Sequence, residues 1–276
     1  MKTTLNYETF VNDNREYLET FHNKRVFVTY TGGKDASAIL HFFTKAKEDF
    51  CFELETHAAI FPIHVYTKEE IHKLDSYWKT RDIPIKWHTI EQSDSAFELA
   101  RQGGINPCEV CHSTKRKHFL KYLDDSVTNW HSLVIIVGFT LWDIVSYSLE
   151  YLFGSIYSDR DTLFQGKSIQ DRYFQTAQRF YPMLKMQEGY TLYKPLIRYN
   201  DQDIIKVIKE NKIPILTTDC KFKDFRPKRL FAESYTKMDL YFDYDKVMKF
   251  AQESLNLHEP SAYTSRDKED FIMSIF

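Results

Sequence analysis

Arg25–Ser37 reads RVFVTYTGGKDAS: a run of β-branched and aromatic residues, a glycine turn and the start of a helical pattern. The run Arg25–Tyr30 predicts a short buried strand. Further apolar runs at 58–66, 83–89 and 133–138 alternate with helical patterns, among them 68–80. Strands that alternate with helices are typical of a parallel sheet with crossover helices. The sequence therefore predicts an α/β fold.

Both ends of the chain have helical patterns. Residues 3–23 carry apolar side chains at helical spacing, which predicts an N-terminal helical extension over 1–23. Residues 232–276, rich in Tyr, Phe, Lys and Glu, predict helices that form a C-terminal extension over 231–276. The α/β domain is then expected over 24–230.

The later part of the predicted domain is less regular. Ser155–Glu188 is polar and aromatic with no clear strand, and we interpret it as an insertion beside the site. Lys194–Ile197 and Ile213–Leu216 are predicted as short extended segments on either side of a helix at Asp201–Lys212.

Composition limits the class of protein. The 276 residues are 43% hydrophobic with 8 Gly and 8 Pro, which excludes a disordered or collagen-like chain. Since 37 Lys and Arg nearly balance 39 Asp and Glu, nucleic-acid binding would need local basic patches. The sequence has neither an apolar run of about 18 residues nor an N-terminal secretion pattern. We expect a cytoplasmic protein with no membrane partner, and the 16% aromatic content leaves room for a homodimer interface.

The glycine turn favours phosphate binding. In a strand–turn–helix arrangement, glycines let the backbone N–H groups approach a phosphate, and the helix dipole favours its charge. The spacing fits neither the Walker A loop nor the G-x-G-x-x-G fingerprint. An acidic residue in such a loop would repel phosphate unless a cation lay between them. Asp35 is therefore a candidate Mg²⁺ ligand.

The four cysteines favour a metal site over disulfides. Cys108 and Cys111 form a C-x-x-C pair, and Cys220 can supply a third thiolate. Three thiolates leave one coordination position open, on zinc or on an iron–sulfur cluster. A structural Cys₃His zinc site that uses His112 or His118, and cysteines without metal, remain alternatives. Cys51 is interpreted as a small buried residue.

The loop Thr31-Gly32-Gly33-Lys34-Asp35-Ala36-Ser37 resembles the SGGxDS pyrophosphate loop (PP-loop) of the N-type ATP pyrophosphatases, which cleave ATP between the α and β phosphates. Thr31 stands where the family has its first Ser, and Ala36 replaces the last Ser, with Ser37 directly after it. The resemblance implies the Rossmann-like fold called adenine nucleotide alpha hydrolase-like, a parallel sheet with helices on both faces.

The order of motifs is similar to that of the [4Fe–4S]-dependent tRNA 2-thiolation enzymes, the 2-thiocytidine and 2-thiouridine synthetases. The pyrophosphate loop is followed by C-x-x-C, a strand that ends at Gly138, Lys194-Pro195-Leu196 and a late Cys220. The family's GHxxDD-like motif survives here only as Gly138 and Asp143. The similarity covers about residues 24–230.

This resemblance implies an ATP-dependent sulfurtransferase that adenylates a nucleobase carbonyl, releases pyrophosphate and then AMP, and replaces oxygen by sulfur. Its cofactors would be ATP, Mg²⁺ and a [4Fe–4S] cluster, with Zn²⁺ as the alternative metal, and it would need a sulfide donor. The implied catalytic residues are Lys34, Asp35 and Asp143, and the implied metal ligands are Cys108, Cys111 and Cys220. The implied nucleotide-binding residues are Thr31, Gly32, Gly33, Lys34, Asp35, Ser37, Tyr66 and Gly138, with adenine near Ile63–Tyr66.

Two basic clusters flank the cysteines and are candidates for RNA contact. The first is Lys115–His118; the second consists of Lys221, Lys223, Arg226, Lys228 and Arg229, with Phe222 and Phe225 available for base stacking. The expected substrate is tRNA. A small-molecule nucleobase or related metabolite is the first alternative, and a non-catalytic nucleotide-binding protein with structural zinc is the second.

Overall fold

The computed structural model describes residues 4–60, 66–156, 168–225 and 227–275. These residues form a sheet of six strands in the order β3-β2-β1-β4-β6-β5. All neighbours are parallel except β5, which runs antiparallel to β6 at one edge. The strands are β1 (Arg25–Thr29), β2 (Glu53–Ile60), β3 (Ile85–Thr89), β4 (Leu133–Ile136), β5 (Met183–Lys185) and β6 (Thr191–Tyr193).

Helices cover both faces of the sheet, which confirms the predicted α/β fold. They are α1 (Tyr7–Leu18), α2 (Lys34–Asp49), α3 (Lys68–Lys79), α4 (Asp94–Gln102), α5 (Pro107–Ser126), α6 (Leu141–Ile156), α7 (Ile169–Ala177), α8 (Asp201–Glu210), α9 (Pro227–Lys237), α10 (Tyr244–Ser254), α11 (Ser261–Thr264) and α12 (Lys268–Ile275). Short 3₁₀ turns lie at Glu19–Phe21, Trp130–Ser132, Gln178–Phe180 and Lys223–Phe225.

The central strand β1 is buried on both faces. Val26 and Val28 pack into a core with α1, α2, α3 and α8, whereas Phe27 packs into a second core with helices of the opposite face. A strand covered on both sides reads as a continuous apolar run, which is why 25–30 could be recognised. None of the helices in the described ranges is long and apolar enough to cross a membrane.

Two predicted segments differ from the structure. The segment 194–197 forms turns and follows β6, whereas Met183–Lys185 and Thr191–Tyr193 pair as a hairpin at the sheet edge. Ile213–Leu216 belongs to no strand. Three residues are too few to show the apolar–polar alternation that identifies a strand. These segments become strands because β6 pairs with β4, which local sequence does not reveal. Part of the interpreted insertion, 157–167, lies outside the described residues.

The C-terminal helices pack against the central sheet's helices. Lys268 in α12 contacts Asp124 of α5 with Nζ and Oδ1 2.5 Å apart, and Phe271 and Ile272 are buried in the second core. Cys51, interpreted as buried, is exposed in the turn between α2 and β2, with φ at 52°. The neighbouring apolar residue Phe52 is buried, but Cys51 itself lies at the turn and points to solvent.

Candidate active site and cysteine pocket

The glycine turn lies at the carboxyl end of β1, where the strand order reverses between β1 and β4. Ligands of open α/β sheets bind at such a point. Gly32 has φ of +69°, and a Cβ on it would lie 3.1 Å from Leu216 Cβ and from Tyr66 Cε1. Only glycine meets both demands. Gly33 is the N-cap of α2, so the first turn of that helix presents its free N–H groups at the loop.

Lys34 holds two carboxylates together at the start of α2. Its Nζ lies 2.7 Å from Asp35 Oδ1 and 2.9 Å from Oδ2 of Asp201, the first residue of α8. Thr140 Oγ1 donates to Asp201 Oδ1 at 3.0 Å. Burial lowers the pKa of Lys34, but Asp35 and Asp201 outweigh it and raise that pKa above its usual value. The ammonium therefore stays charged at neutral pH.

Asp143 brings a third carboxylate to the same place. It is buried in the first turn of α6, accepts a bond from the Thr140 backbone N–H at 3.0 Å, and forms an ion pair with Lys228 of α9. Burial would raise the pKa of Asp143, but Lys228 lowers it below its usual value. Burial, Asp143 and Asp201 together raise the pKa of Asp35 against the pull of Lys34. The carboxylates thus repel one another, and a cation shared between them would relieve that repulsion.

The other proposed nucleotide-binding residues have different surroundings. Thr31 is exposed, and Gly138 lies against α2, where a Cβ would be 4.0 Å from Asp35 Cβ. Ser37 is fully buried, and its hydroxyl lies 3.3 Å from that of Tyr30, so it faces the core. Tyr66 packs beside Gly32. Of the expected adenine region 63–66, residues 63–65 lie outside the described residues.

A chain segment joins the glycine turn to Cys220. The Leu216 backbone N–H donates to Gly32 O at 2.7 Å. Four residues span at most about 14 Å, so Cys220 stays within that distance of the contact. Glu70 of α3 fixes the segment: Oε1 accepts from the backbone N–H groups of Thr217 and Thr218, each at 2.8 Å, and both threonine hydroxyls also donate to its carboxylate.

We expect Glu70→Ala to loosen this segment. Bonds to a charged group contribute about 1.5–3 kcal/mol, so amide exchange at 216–220 should accelerate by about tenfold or more. Exposed Glu69 on the same turn provides the control, Glu69→Ala, which should leave exchange unchanged. Bonds from Thr218 and Thr217 lower the pKa of Glu70 to about 2 against burial. The contact should therefore persist above pH 4.5 and weaken as the pH falls toward 2. Equal exchange in both variants would show that Glu70 does not hold the segment.

The three proposed metal ligands line one pocket. Cys108 and Cys111 lie in the first turns of α5, and Cys220 faces them from the opposite segment. The remaining lining residues are Phe97, Pro107, His112 and Phe222. Asn106 caps α5 by accepting from the Cys108 N–H at 2.9 Å, and its Nδ2 donates to Phe225 O at 2.9 Å. Asn106 thus ties the start of α5 to the chain segment that follows Cys220 and Phe222.

The thiols share a pocket without forming a finished coordination set. Within the described ranges, no group of three or more His, Cys, Asp or Glu side chains is arranged to hold a metal ion. Cys108 Sγ instead lies 3.7 Å from Phe222 O. The donor chemistry nevertheless suits a soft metal, because three thiols line one pocket. Cys111 also acts on Tyr66, whose pKa is raised by burial, by Tyr30 and Glu70 and by that thiol. The link between the pocket and the glycine turn is the segment Leu216–Cys220, which contacts Gly32 at one end and lines the pocket at the other.

The basic clusters are less available than the sequence indicates. Arg116 is buried and pairs with Glu109, and Phe222 is buried as well, so neither presents itself to RNA. Phe225 is exposed, and Arg226 lies outside the described residues. The lysines and the arginine of the second cluster form ion pairs: Lys221 with Asp94 and Glu98, Lys223 with Asp219, Lys228 with Asp143 and Arg229 with Glu233.

A row of histidines joins α5 to the sheet. His57 Nε2 lies 3.2 Å from Glu55, His57 Nδ1 lies 2.8 Å from His88 Nε2, and His88 Nδ1 lies 3.0 Å from His118 Nε2. Since the carboxylate only accepts, each neutral ring must carry its proton on Nε2. Nε2 of His118 is therefore already bonded to His88, which makes His118 less available as a zinc ligand.

The histidine row should make the folded protein less stable in acid. Burial, His57 and His118 lower the pKa of His88 to about 4. A base whose pKa falls on folding stabilises fully above its unfolded value of about 6.5 and less as the pH drops from there toward 4. We expect the Tm to fall between pH 7 and pH 5, and His88→Gln to flatten that dependence. Exposed His72→Gln should retain the native slope; a parallel loss of slope in both variants would contradict this assignment.

No protein-family model matches the chain, and no curated protein matches it. The U34-tRNA thiolase NcsA from Methanococcus maripaludis, solved with its [4Fe–4S] cluster, matches with a TM-score of 0.60 at 13% identity, over 92% of this chain and 81% of that one. The fold is the PP-loop, adenine nucleotide alpha hydrolase-like fold.

Two further solved structures are less similar. NMN synthetase from Francisella tularensis has a TM-score of 0.44 at 9% identity, over 98% of this chain and 92% of its own. NH₃-dependent NAD synthetase from Campylobacter jejuni has a TM-score of 0.43 at 10% identity, over 94% and 90%.

Four residues of the site escaped the sequence reasoning. The sequence indicates Asp201 only as the start of a helix and Lys228 only as part of a basic cluster, and it predicts no role for Thr140 or Glu70. The strands and helices that hold them are separated by long stretches of chain. Asp201 offered one signal, since an Asp directly after Asn200 at a helix start points its charge toward the carboxyl edge of the sheet.

Proposed function

We propose that the protein is an ATP-dependent sulfurtransferase that adenylates a nucleobase carbonyl, with release of pyrophosphate, and then replaces the activated oxygen by sulfur in tRNA. One observation carries the proposal: the glycine turn and the three-cysteine pocket are joined by the segment Leu216–Cys220. A nucleotide and a sulfur carrier at these two places would both reach one substrate atom. The fold shared with a tRNA thiolase supports the assignment.

The nucleotide half follows from the glycine turn. The N–H groups of the turn and the first turn of α2 would bind the departing pyrophosphate, and Lys34 would neutralise part of its charge. Mg²⁺ is usually held by one or two carboxylates together with substrate phosphates. Asp35 would supply one such carboxylate, with Asp143 as the second. Lys34 and Lys228, now paired to them, would then be released to the phosphates.

Activation is required by the chemistry of exchange. Hydroxide leaves a carbonyl carbon poorly, whereas a phosphate ester oxygen leaves well. Attack of the carbonyl oxygen on the α phosphate of ATP breaks the α–β bond and releases pyrophosphate. Attack of sulfur on the same carbon then releases AMP with the original oxygen.

The sulfur half rests on the pocket. A [4Fe–4S] cluster on three thiolates leaves one iron open, which can carry a sulfide. Cys108, Cys111 and Cys220 would hold it, and Phe97 and Phe222 would exclude water from that side. Zinc on the same thiols is the alternative metal.

A small-molecule substrate is the second candidate. The ion pairs that occupy Lys221, Lys223 and Arg229 leave little free positive charge beside the pocket for a polyanion. The same activation and sulfur transfer would then act on a free nucleobase, a nucleoside or a related metabolite.

The test separates these assignments. The protein is purified without oxygen, analysed for iron, sulfide and zinc, and incubated with ATP, Mg²⁺, sulfide and either tRNA or a nucleoside pool. We expect iron and sulfide in the protein and a thiolated nucleoside in digested tRNA by mass spectrometry. Thiolation only in the nucleoside pool would support the second candidate. Stoichiometric zinc with no AMP from either pool would favour a non-catalytic nucleotide-binding protein and overturn the proposal.

A further inference from the structure

One face of α6 carries a row of three side chains, two of them carboxylates, that leads away from the glycine turn. Asp143, Tyr147 and Glu150 follow one another at helical spacing, so they share that face. Asp143 pairs with Lys228, and Glu150 Oε2 lies 2.9 Å from Arg172 Nη2. Both ends of the row are therefore compensated.

The cation that stacks on the centre of the row, Arg179, forms no such ion pair among the described residues. Arg179 is 6% exposed, and its guanidinium carbon lies 3.7 Å from the centre of the Tyr147 ring and 5.5 Å from that of Phe139. Its Nε and Nη1 have no hydrogen-bond partner, and no carboxylate in the described part of the chain forms an ion pair with it. Burial and, to a smaller extent, Arg172 lower the pKa of Arg179, against Tyr147, Glu150 and Asp143, which raise it.

A second buried cation adds to the excess charge. Lys194, which follows β6, is fully buried and donates only to backbone carbonyls among the bonds described, to Gln178 O at 3.2 Å and Tyr181 O at 2.8 Å. Burial and then Arg179 lower the pKa of Lys194 to about 7. The Thr176 hydroxyl, 1% exposed, also lacks a partner.

Buried charge without a partner is strongly unfavourable, and arginine cannot escape by losing its proton. Orphaned buried donors in a folded protein call for an occupant such as an ion or a ligand. A planar guanidinium stacked on an aromatic ring is the side chain best suited to phosphate. Phe139 directly follows Gly138, so Arg179 borders the nucleotide site on the β4–β6 side.

We propose that Arg179 binds a phosphate group of the substrate that receives sulfur, in a subsite beside Asp143 and separate from the glycine turn. The phosphate belongs to that substrate only if the proposed function holds; the anion site itself does not depend on it. Lys194 would contribute only through its positive charge, because its Nζ already donates to the backbone carbonyls of Gln178 and Tyr181.

The test uses the full chain with its glycine turn occupied by Mg²⁺ and α,β-methylene ATP, which resists cleavage. Thermal unfolding is followed while inorganic phosphate, uridine monophosphate or a short RNA is added at constant ionic strength. We expect a phosphate-dependent rise in Tm. Arg179→Met should weaken that response by about tenfold or more, because charge-assisted bonds are lost. Its Tm without ligand should equal or exceed the native one, since an uncompensated charge is removed.

Arg198→Met is the matched control. Arg198 also stacks on a ring, 4.6 Å from the centre of Tyr244, and has an orphaned Nε, but it lies off the α6 face. Its phosphate response should equal the native one. Should Arg179→Met fail to fold, Arg179→Lys replaces it, with an intermediate response expected because the charge stays and the planar group is lost.

The three probes also identify the phosphate. A response to phosphate or the monophosphate assigns a terminal phosphate, and a response to RNA alone assigns a phosphodiester. The proposal is overturned if none of the three probes raises the Tm. It is also overturned if Arg179→Met keeps the response within about twofold of native. Because no turnover is measured, this result is independent of AMP formation.

Discussion

Replacing Asp35 with Ala should slow AMP formation by roughly 10²–10³-fold, the loss typical of one transition-state electrostatic contact. Asp35 lies in the first turn of α2 with Lys34 at 2.7 Å, and an acid so close to bound phosphate is favourable only with a cation between them. The rate of AMP release with saturating substrate and Mg²⁺ is the measurement. Iron content should be unchanged.

Asp49→Ala is the control for this variant, because Asp49 ends the same helix and bonds the Tyr7 hydroxyl at 2.6 Å, far from the turn. Its AMP rate should equal the native one. Asp143→Ala should resemble Asp35→Ala if Asp143 shares the cation, and should be nearly silent if it is only a charge at a helix start. A normal rate in Asp35→Ala would remove that residue from the site.

Single replacement of Cys108, Cys111 or Cys220 by Ala should remove most of the bound iron, since two thiolates cannot retain a cluster that needs three. Cys51→Ala, which changes an exposed thiol in a distant turn, should keep the native iron content. Iron and sulfide assays after anaerobic purification, with a visible spectrum, decide this. A full cluster in Cys220→Ala would refute the three-thiolate assignment.

The sequence predicted the parts of the fold that local pattern controls. Arg25–Tyr30 was recognisable because a strand buried on both faces must be apolar throughout, and the structure has β1 at Arg25–Thr29. The glycine turn was recognisable because positive φ and close approach demand glycine at position 32. The N-terminal helix, with its apolar spacing, was likewise confirmed as α1.

The contacts between distant segments could not be predicted in this way. Asp201 of α8 pairs with Lys34 of the neighbouring α2, and Lys228 pairs with Asp143 although its own side chain is partly exposed. Phe222, expected as a stacking surface, is buried against Phe97 at a ring separation of 5.5 Å. No periodicity encodes which of several charged or aromatic residues meets a partner far away in the sequence, because the fold decides it.

The identity of the nucleotide products tests the central claim most directly. The native protein is incubated without oxygen with Mg²⁺, sulfide, tRNA and ATP labelled in the α and γ phosphates, and the products are separated by chromatography. Adenylation at the glycine turn predicts AMP and pyrophosphate in equal amounts, formed only when substrate is present and in step with the thiolated nucleoside. ADP with inorganic phosphate would contradict the account, because it would mean cleavage at the β–γ bond and no adenylated oxygen for sulfur to replace.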